Sequence, residues 1–168
     1  MALGSNLGDR QDILQGGVDA IARIPEVQVM AVSAVYETVP VGGPPQPDYL
    51  NAVLVARTTL ASLALLDRLH QVEAAFDRVR EARWGPRTLD IDIITAGDER
   101  KHDPVLTLPH PRAHERAFVL APWHDADPAA VLPGRGAVAD LLTTVDQEGI
   151  RRSGQSLVIP EPESPEPA

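Results

Sequence analysis

The order in which apolar periodicities follow one another constrains this chain more than any other feature. Residues 3–6 read as the end of a short strand entering a turn. Residues 9–24 carry a helical period, with Ile13, Leu14, Val18, Ile21 and Ala22 on one face, Asp9 placed to cap and Pro25 to stop. Residues 27–37 alternate as a strand whose two faces are both rather apolar, the mark of a central strand. A Pro/Gly loop fills residues 39–47, and a further strand spans 48–58. Residues 61–77 read as a helix through Leu65, Leu66, Leu69, Val72 and Phe76. An Arg-rich turn at 78–86 leads into a strand at 88–96, which a turn at Gly97-Asp98 closes. A short extended piece at 104–111 and helices at 115–123 and 137–145 follow. This β-α-β-β-α-β order predicts an α+β fold of the ferredoxin-like kind: an antiparallel sheet with helices packed on one face, plus extra C-terminal helices.

At 168 residues with 43% apolar content, the chain suits one domain, read here as 1–158. Residues 159–168, rich in Pro and Glu, read as a disordered acidic tail. No apolar run nears the roughly 18 residues of a membrane span, and the first residues have no signal-peptide pattern. The absence of cysteine removes disulfides, zinc-thiolate sites and cysteine nucleophiles. A cytoplasmic protein is the expectation. A net charge of −9 argues against a nucleic-acid partner, whose recognition rests on basic charge. Yet eight of the 15 basic residues fall between Arg78 and Arg116. A basic cluster on an acidic protein points to a small anionic ligand.

The strongest local signal is RWGPRTLDIDII, residues 83–94. Asp90 and Asp92 leave one strand face about 6–7 Å apart along the strand. Such hard oxygen donors suit Mg²⁺, which binds one or two carboxylates together with substrate phosphates. A bare D-x-D is usually a solvated strand face. Here Arg78, Arg80, Arg83 and Arg87 lie just upstream, and anion clamps beside a divalent-metal site are what phosphoryl transfer requires. GSNLGD at residues 4–9 is a turn that could offer backbone N–H groups, but no P-loop pattern occurs. Tyr49 and Asn51 alternate on one strand face after the Pro-rich loop. An aromatic wall with a carboxamide suits a flat heterocycle, although core packing would explain Tyr49 equally well. Thr107, His110, Arg112, His114, Arg116 and Phe118 form a last cluster, where Pro109 and Pro111 break the helix that a two-histidine zinc site would need.

These segments, LGSNLGDR, QPDYLNAV, RWGPRTLDIDII and TLPHPR…RAF, resemble in order and spacing the 6-hydroxymethyl-7,8-dihydropterin pyrophosphokinase family of folate biosynthesis. The resemblance runs from Leu3 to about Leu142. It implies transfer of the pyrophosphoryl group of ATP to the pterin's hydroxymethyl oxygen, with AMP released. It assigns two Mg²⁺ to Asp90 and Asp92, and phosphate contacts to Arg78, Arg87, His110 and Arg116. It brings Arg80 and Arg83 to ATP by loop closure, and gives Glu73 and Thr107 to the nucleotide. It places the pterin between Tyr49 and Phe118, read by Asn51, with Thr38, Pro40, Val41 and Trp84 completing the pocket. It further implies a cytoplasmic monomer with no membrane partner. The chain departs from the family pattern at Val39, His70, Asp77, Val105 and Pro111, and only Met1 and Ala2 precede the first motif. The alternative is a degenerate, non-catalytic nucleotide- or pterin-binding module of the same fold, which would bind ATP or pterin without releasing AMP.

Overall fold

The computed structural model describes residues 1–40, 42–76 and 88–162. The chain runs β1 (Ala2–Ser5), α1 (Arg10–Ala22), β2 (Val27–Val32), β3 (Ala34–Thr38), β4 (Tyr49–Thr58), α2 (Ser62–Ala75) and β5 (Asp90–Asp92). Two short hairpins, β6 (Lys101–His102) with β7 (Thr107–Leu108) and β8 (Val131–Leu132) with β9 (Gly136–Ala137), follow. Between them lie a 3₁₀ turn (Ala113–Glu115) and α3 (Ala117–Ala126), and after them α4 (Val138–Leu142) and β10 (Ile150–Ser156). The main sheet has the order β10-β3-β4-β1-β5, every pair antiparallel, with β2 also on β4. With β2 and β3 taken together, this is the βαββαβ arrangement expected from the sequence, widened by β10.

Several expectations are corrected. The strand read at 27–37 is two strands, because Ser33 intervenes. Its N–H donates to the Val53 carbonyl at 2.9 Å and its Oγ accepts from the Val53 N–H at 2.9 Å, so a hydroxyl takes over a ladder bond. Of the pair only β3, between β4 and β10, is central. β2 pairs with β4 alone, and Gln28 and Met30, which share one of its faces, are exposed. The strand read at 88–96 shrinks to the three residues that β1 pairs, Ala2 opposite Asp92 and Gly4 opposite Asp90. The helix read at 115–123 begins as the 3₁₀ turn and continues as α3 through Pro122, and the helix read at 137–145 is only the short α4. β10, whose Arg- and Ser-rich sequence has no apolar alternation, escapes sequence reading altogether.

Helices also cover both faces of the sheet rather than one. Leu3, Leu50, Leu54 and Ile91 point to α1 and α2, into a core with Leu14, Val18, Ile21, Leu65 and Leu69. Val53, on the opposite face from its neighbour Leu54, packs with Val119, Leu120, Trp123 and Val138 of the C-terminal elements. The second layer is tied down by Asp125 of α3. Its carboxylate accepts the Ala34 N–H at 2.7 Å and pairs with Arg152 of β10, whose guanidinium lies over the Tyr36 ring at 5.7 Å.

As the sequence implied, the Asp9 side chain caps α1 by accepting the Asp12 N–H at 3.1 Å. Within α1, Gly16 and Gly17 each cost about 1 kcal/mol of helix propensity relative to alanine. They permit close approach. A Cβ on Gly16 would lie 2.7 Å from the Phe76 ring, and one on Gly17 would lie 3.2 Å from Leu89. Leu69 lies at the centre of the first core with no exposed surface. Leu69→Ala is expected to lower unfolding free energy by about 2–5 kcal/mol in urea titration, the range for emptying a leucine site.

Candidate active site

The helix-free part of the second sheet face is where the chemistry-bearing side chains gather. Asp90 and Asp92 stand half-buried on one face of β5, either side of the buried Ile91. The strand is short, and part of its support comes from α2. The Glu73 side chain, only 2% exposed, accepts the Ile91 N–H through Oε2 at 3.1 Å. Glu73 thus holds the backbone between the two carboxylates.

Opposite them sits the segment after β7. His110 is anchored by its own N–H to the Ile94 carbonyl at 2.8 Å, and its Nδ1 accepts the Arg112 N–H at 3.2 Å. That bond fixes the tautomer of the neutral ring and leaves Nε2–H as a donor. Burial pushes the His110 pKa down to about 4, Arg116 adds to the effect, Asp90 opposes it and Arg112 reinforces it. The imidazole is therefore neutral at pH 7. Burial also lowers the Arg116 pKa, against the pull of Asp92 and Asp90, but a guanidinium stays charged. The Arg116 guanidinium lies 5.4 Å from the Phe118 ring centroid. Asp90, Asp92, His110 and Arg116 thus share one electrostatic environment, while Thr107 lies half-buried on β7 nearby in the chain.

The adjoining sheet face comes from β1, β3 and β4. Asn51 is buried, and its Nδ2 donates to Thr38 Oγ1 at 2.6 Å. Asn51 also faces Gly4 across the β1–β4 ladder. A Cβ at Gly4 would lie 3.0 Å from Asn51 Oδ1 and 3.5 Å from the Tyr49 ring, so only glycine leaves this carboxamide its place. Tyr49, Pro40 and Phe118 are half-buried. Val41, Arg78, Arg80, Arg83, Trp84 and Arg87, all read from the sequence as site residues, lie outside the described residues.

Sequence reading missed the role of GSNLGD. Asn6 is buried, and its Nδ2 donates to Gln46 Oε1 at 2.9 Å and to the Pro47 carbonyl at 3.0 Å. Arg10 donates to the Asp48 carbonyl at 2.8 Å. The turn fastens the Pro-rich loop to the sheet, a role visible only once residues 40 apart meet. A cavity of about 520 Å³ also opens between the far end of β4 and residues 93–97, among Leu54, Val55, Leu65, Ile94 and Trp123. Neither aspartate nor His110 lines it, and its charged side chains are Glu99 and Asp127, which do not suit an anionic ligand.

Two carboxylates sharing a neighbourhood with a guanidinium and a neutral imidazole, on an antiparallel βαββαβ sheet, define a phosphate-handling α+β enzyme. The family model of 7,8-dihydro-6-hydroxymethylpterin-pyrophosphokinase (HPPK) matches residues 1–128, and the chain belongs to that family. The chain is 43% identical over 152 residues to a 2-amino-4-hydroxy-6-hydroxymethyldihydropteridine pyrophosphokinase of Pseudomonas aeruginosa, covering 90% of this chain and 94% of the relative. It is 40% identical over 151 residues to a protein of the same name from Bacillus subtilis, covering 90% and 87%. Its fold is that of a solved HPPK-DHPS structure, with a TM-score of 0.65 at 13% identity over 85% of this chain and 42% of that one. Among the described residues no helix is long and apolar enough to cross a membrane.

Two outcomes follow from this geometry. Gly4→Ala is expected to crowd the Asn51 carboxamide off the Thr38 hydroxyl and to lower unfolding free energy by about 1 kcal/mol in urea titration, the worth of one hydrogen bond. His110 has a folded pKa below its unfolded value of 6.5, so the unfolded chain binds the extra proton. Its contribution is present above pH 6.5 and is lost as pH falls from 6.5 towards 4. Urea unfolding at stepped pH is expected to show a shallower loss in His110→Gln than in the wild type.

Proposed function

We propose that this chain transfers the pyrophosphoryl group of ATP to 6-hydroxymethyl-7,8-dihydropterin in a Mg²⁺-dependent reaction, giving the pterin diphosphate and AMP. The observation that carries the reading is the placement of Asp90 and Asp92 on one face of β5, in the field of Arg116 and His110. Paired hard oxygens of this kind fit Mg²⁺, and among the described residues no group of three or more His, Asp or Glu side chains competes for it. The ion, when bound, would screen phosphate charge and polarise the phosphoryl oxygens.

The residues of the chain supply the rest. The pterin hydroxymethyl oxygen attacks the β-phosphorus, the bond from that phosphorus to the α,β-bridging oxygen breaks, AMP leaves and the hydroxyl proton is released. Arg116 offsets negative charge on the phosphates at fixed positive charge. Neutral His110 donates from Nε2 to a phosphate oxygen without needing to gain a proton first. Arg78, Arg80, Arg83 and Arg87 add further cationic contacts in this reading, and Thr107 holds the nucleotide, while Glu73, its carboxylate committed to the Ile91 N–H, acts on it only through the strand it positions. Asn51 reads the pterin's amide edge between Tyr49 and Phe118, and Thr38, bonded to Asn51, fixes which way the carboxamide faces. Pro40, Val41 and Trp84 close the pocket.

The test is AMP release from ATP and Mg²⁺, with and without the pterin. AMP that appears only with the pterin supports the reading. Asp90→Asn and Asp92→Asn are each expected to lower kcat by a factor of about 10³ or more while leaving the circular-dichroism melt in place. Wild-type turnover in either variant would remove the metal assignment. Binding of ATP and pterin with no AMP from wild-type protein would instead favour the non-catalytic module.

A further inference from the structure

The two stems that support the aspartate-bearing strand both rest on one spot of α1. Phe76, three residues beyond Glu73 at the end of α2, lies against Gly16, where a Cβ would come within 2.7 Å of Cζ and 2.9 Å of Cε1. Leu89, immediately before Asp90, lies against Gly17, where a Cβ would come within 3.2 Å and 3.3 Å of its two Cδ atoms. Leu3 of β1, paired opposite Ile91, is 3.4 Å from that same position. Alanine at both sites would favour the helix, so two adjacent glycines in its interior oppose local propensity. The contacts show what their missing side chains permit. α2 and β5 come close enough for the Glu73 carboxylate to reach the Ile91 N–H.

We propose that Gly16 and Gly17 are positioning residues for Asp90 and Asp92. They form a side-chain-free seat on which Phe76 and Leu89 set the depth of β5 relative to α2. The proposal deepens the pyrophosphokinase reading and rests on it for the role of the aspartates. A methyl at Gly17 lifts Leu89, and with it the first aspartate. A methyl at Gly16 moves Phe76 and the end of the helix that carries Glu73. Neither glycine touches a substrate.

Steady-state kinetics with Mg²⁺ titration on Gly17→Ala and Gly16→Ala provide the test. The expected result is a protein that still unfolds cooperatively, with kcat/KM lowered about tenfold and a raised Mg²⁺ requirement. The Ile91 amide, read by hydrogen exchange without any turnover, should exchange faster in both variants. Moving the added carbon elsewhere should restore function: G17A/L89V and G16A/F76L are expected to recover kcat/KM to within about threefold of wild type, since each pair roughly conserves volume. Should G17A fail to fold, G16A carries the test, because its contact is with the outer edge of a ring. Single variants with wild-type kcat/KM, Mg²⁺ dependence and Ile91 exchange would overturn the proposal, as would double variants no better than the singles. Absence of AMP from the wild type would refute the enzymatic reading instead, and the exchange of Ile91 would still report on the seat.

Discussion

A buried carboxylate holding a backbone amide is the interaction on which the site depends. β5 is only three residues long and pairs along one edge with β1. A strand this short gains little from its ladder alone. The Glu73 Oε2 that accepts the Ile91 N–H joins it to α2 from the other side. An acceptor that is nearly fully buried cannot exchange this partner for water without a desolvation penalty. The bond therefore ties strand position to helix position. The two flanking aspartates take their direction from it, since alternate residues on a strand must leave the same face.

The sheet then divides the labour. The face towards α1 and α2 is filled with leucine, isoleucine and valine and carries most of the apolar burial. The opposite face is apolar only where α3 and α4 cover it, around Val53 and Trp123. Gly4, Asn51 and the aspartates share that opposite face, beyond the covered part. Polar side chains can stand there because their partners are built in, as with the Asn51 amide on the Thr38 hydroxyl. Arg116 occupies the seam, at the residue that starts α3, and so projects its charge from the edge of an apolar cluster.

Much of this arrangement was legible in the sequence. The helical periods of α1 and α2, the capping Asp9 and the D-x-D strand follow from spacing and chemistry that act within a few residues. The family resemblance carried the reading of the site further than periodicity could, for neither role proposed for Tyr49 and Phe118 follows from alternation. What escaped depends on residues distant in the chain. Ser33 breaks a strand only because Val53 lies opposite its hydroxyl. β10 is a strand through its pairing with β3 rather than through its own composition. Asn6 looked like an ordinary turn residue until Gln46 and Pro47 came to meet it. The second layer of helices was read as an appendage because sequence does not say which face of a sheet a later helix will cover.

β10 also gives the protein a timetable. The loop that follows β3 hangs from the far end of the chain: the Val39 N–H donates to the Gly149 carbonyl at 3.1 Å. Beyond that strand, the Gln15 side chain exchanges two hydrogen bonds with the backbone of Val158, at 2.8 and 2.9 Å. The first helix and the loop after β3 are thus both fastened by residues far along the sequence. On a ribosome the strand bearing the aspartates emerges well before these fasteners do. A nascent chain halted short of them would hold that loop only at its far end, through Asn6 and Arg10. Contacts of such sequence separation also slow folding, because the loops they close must be ordered first.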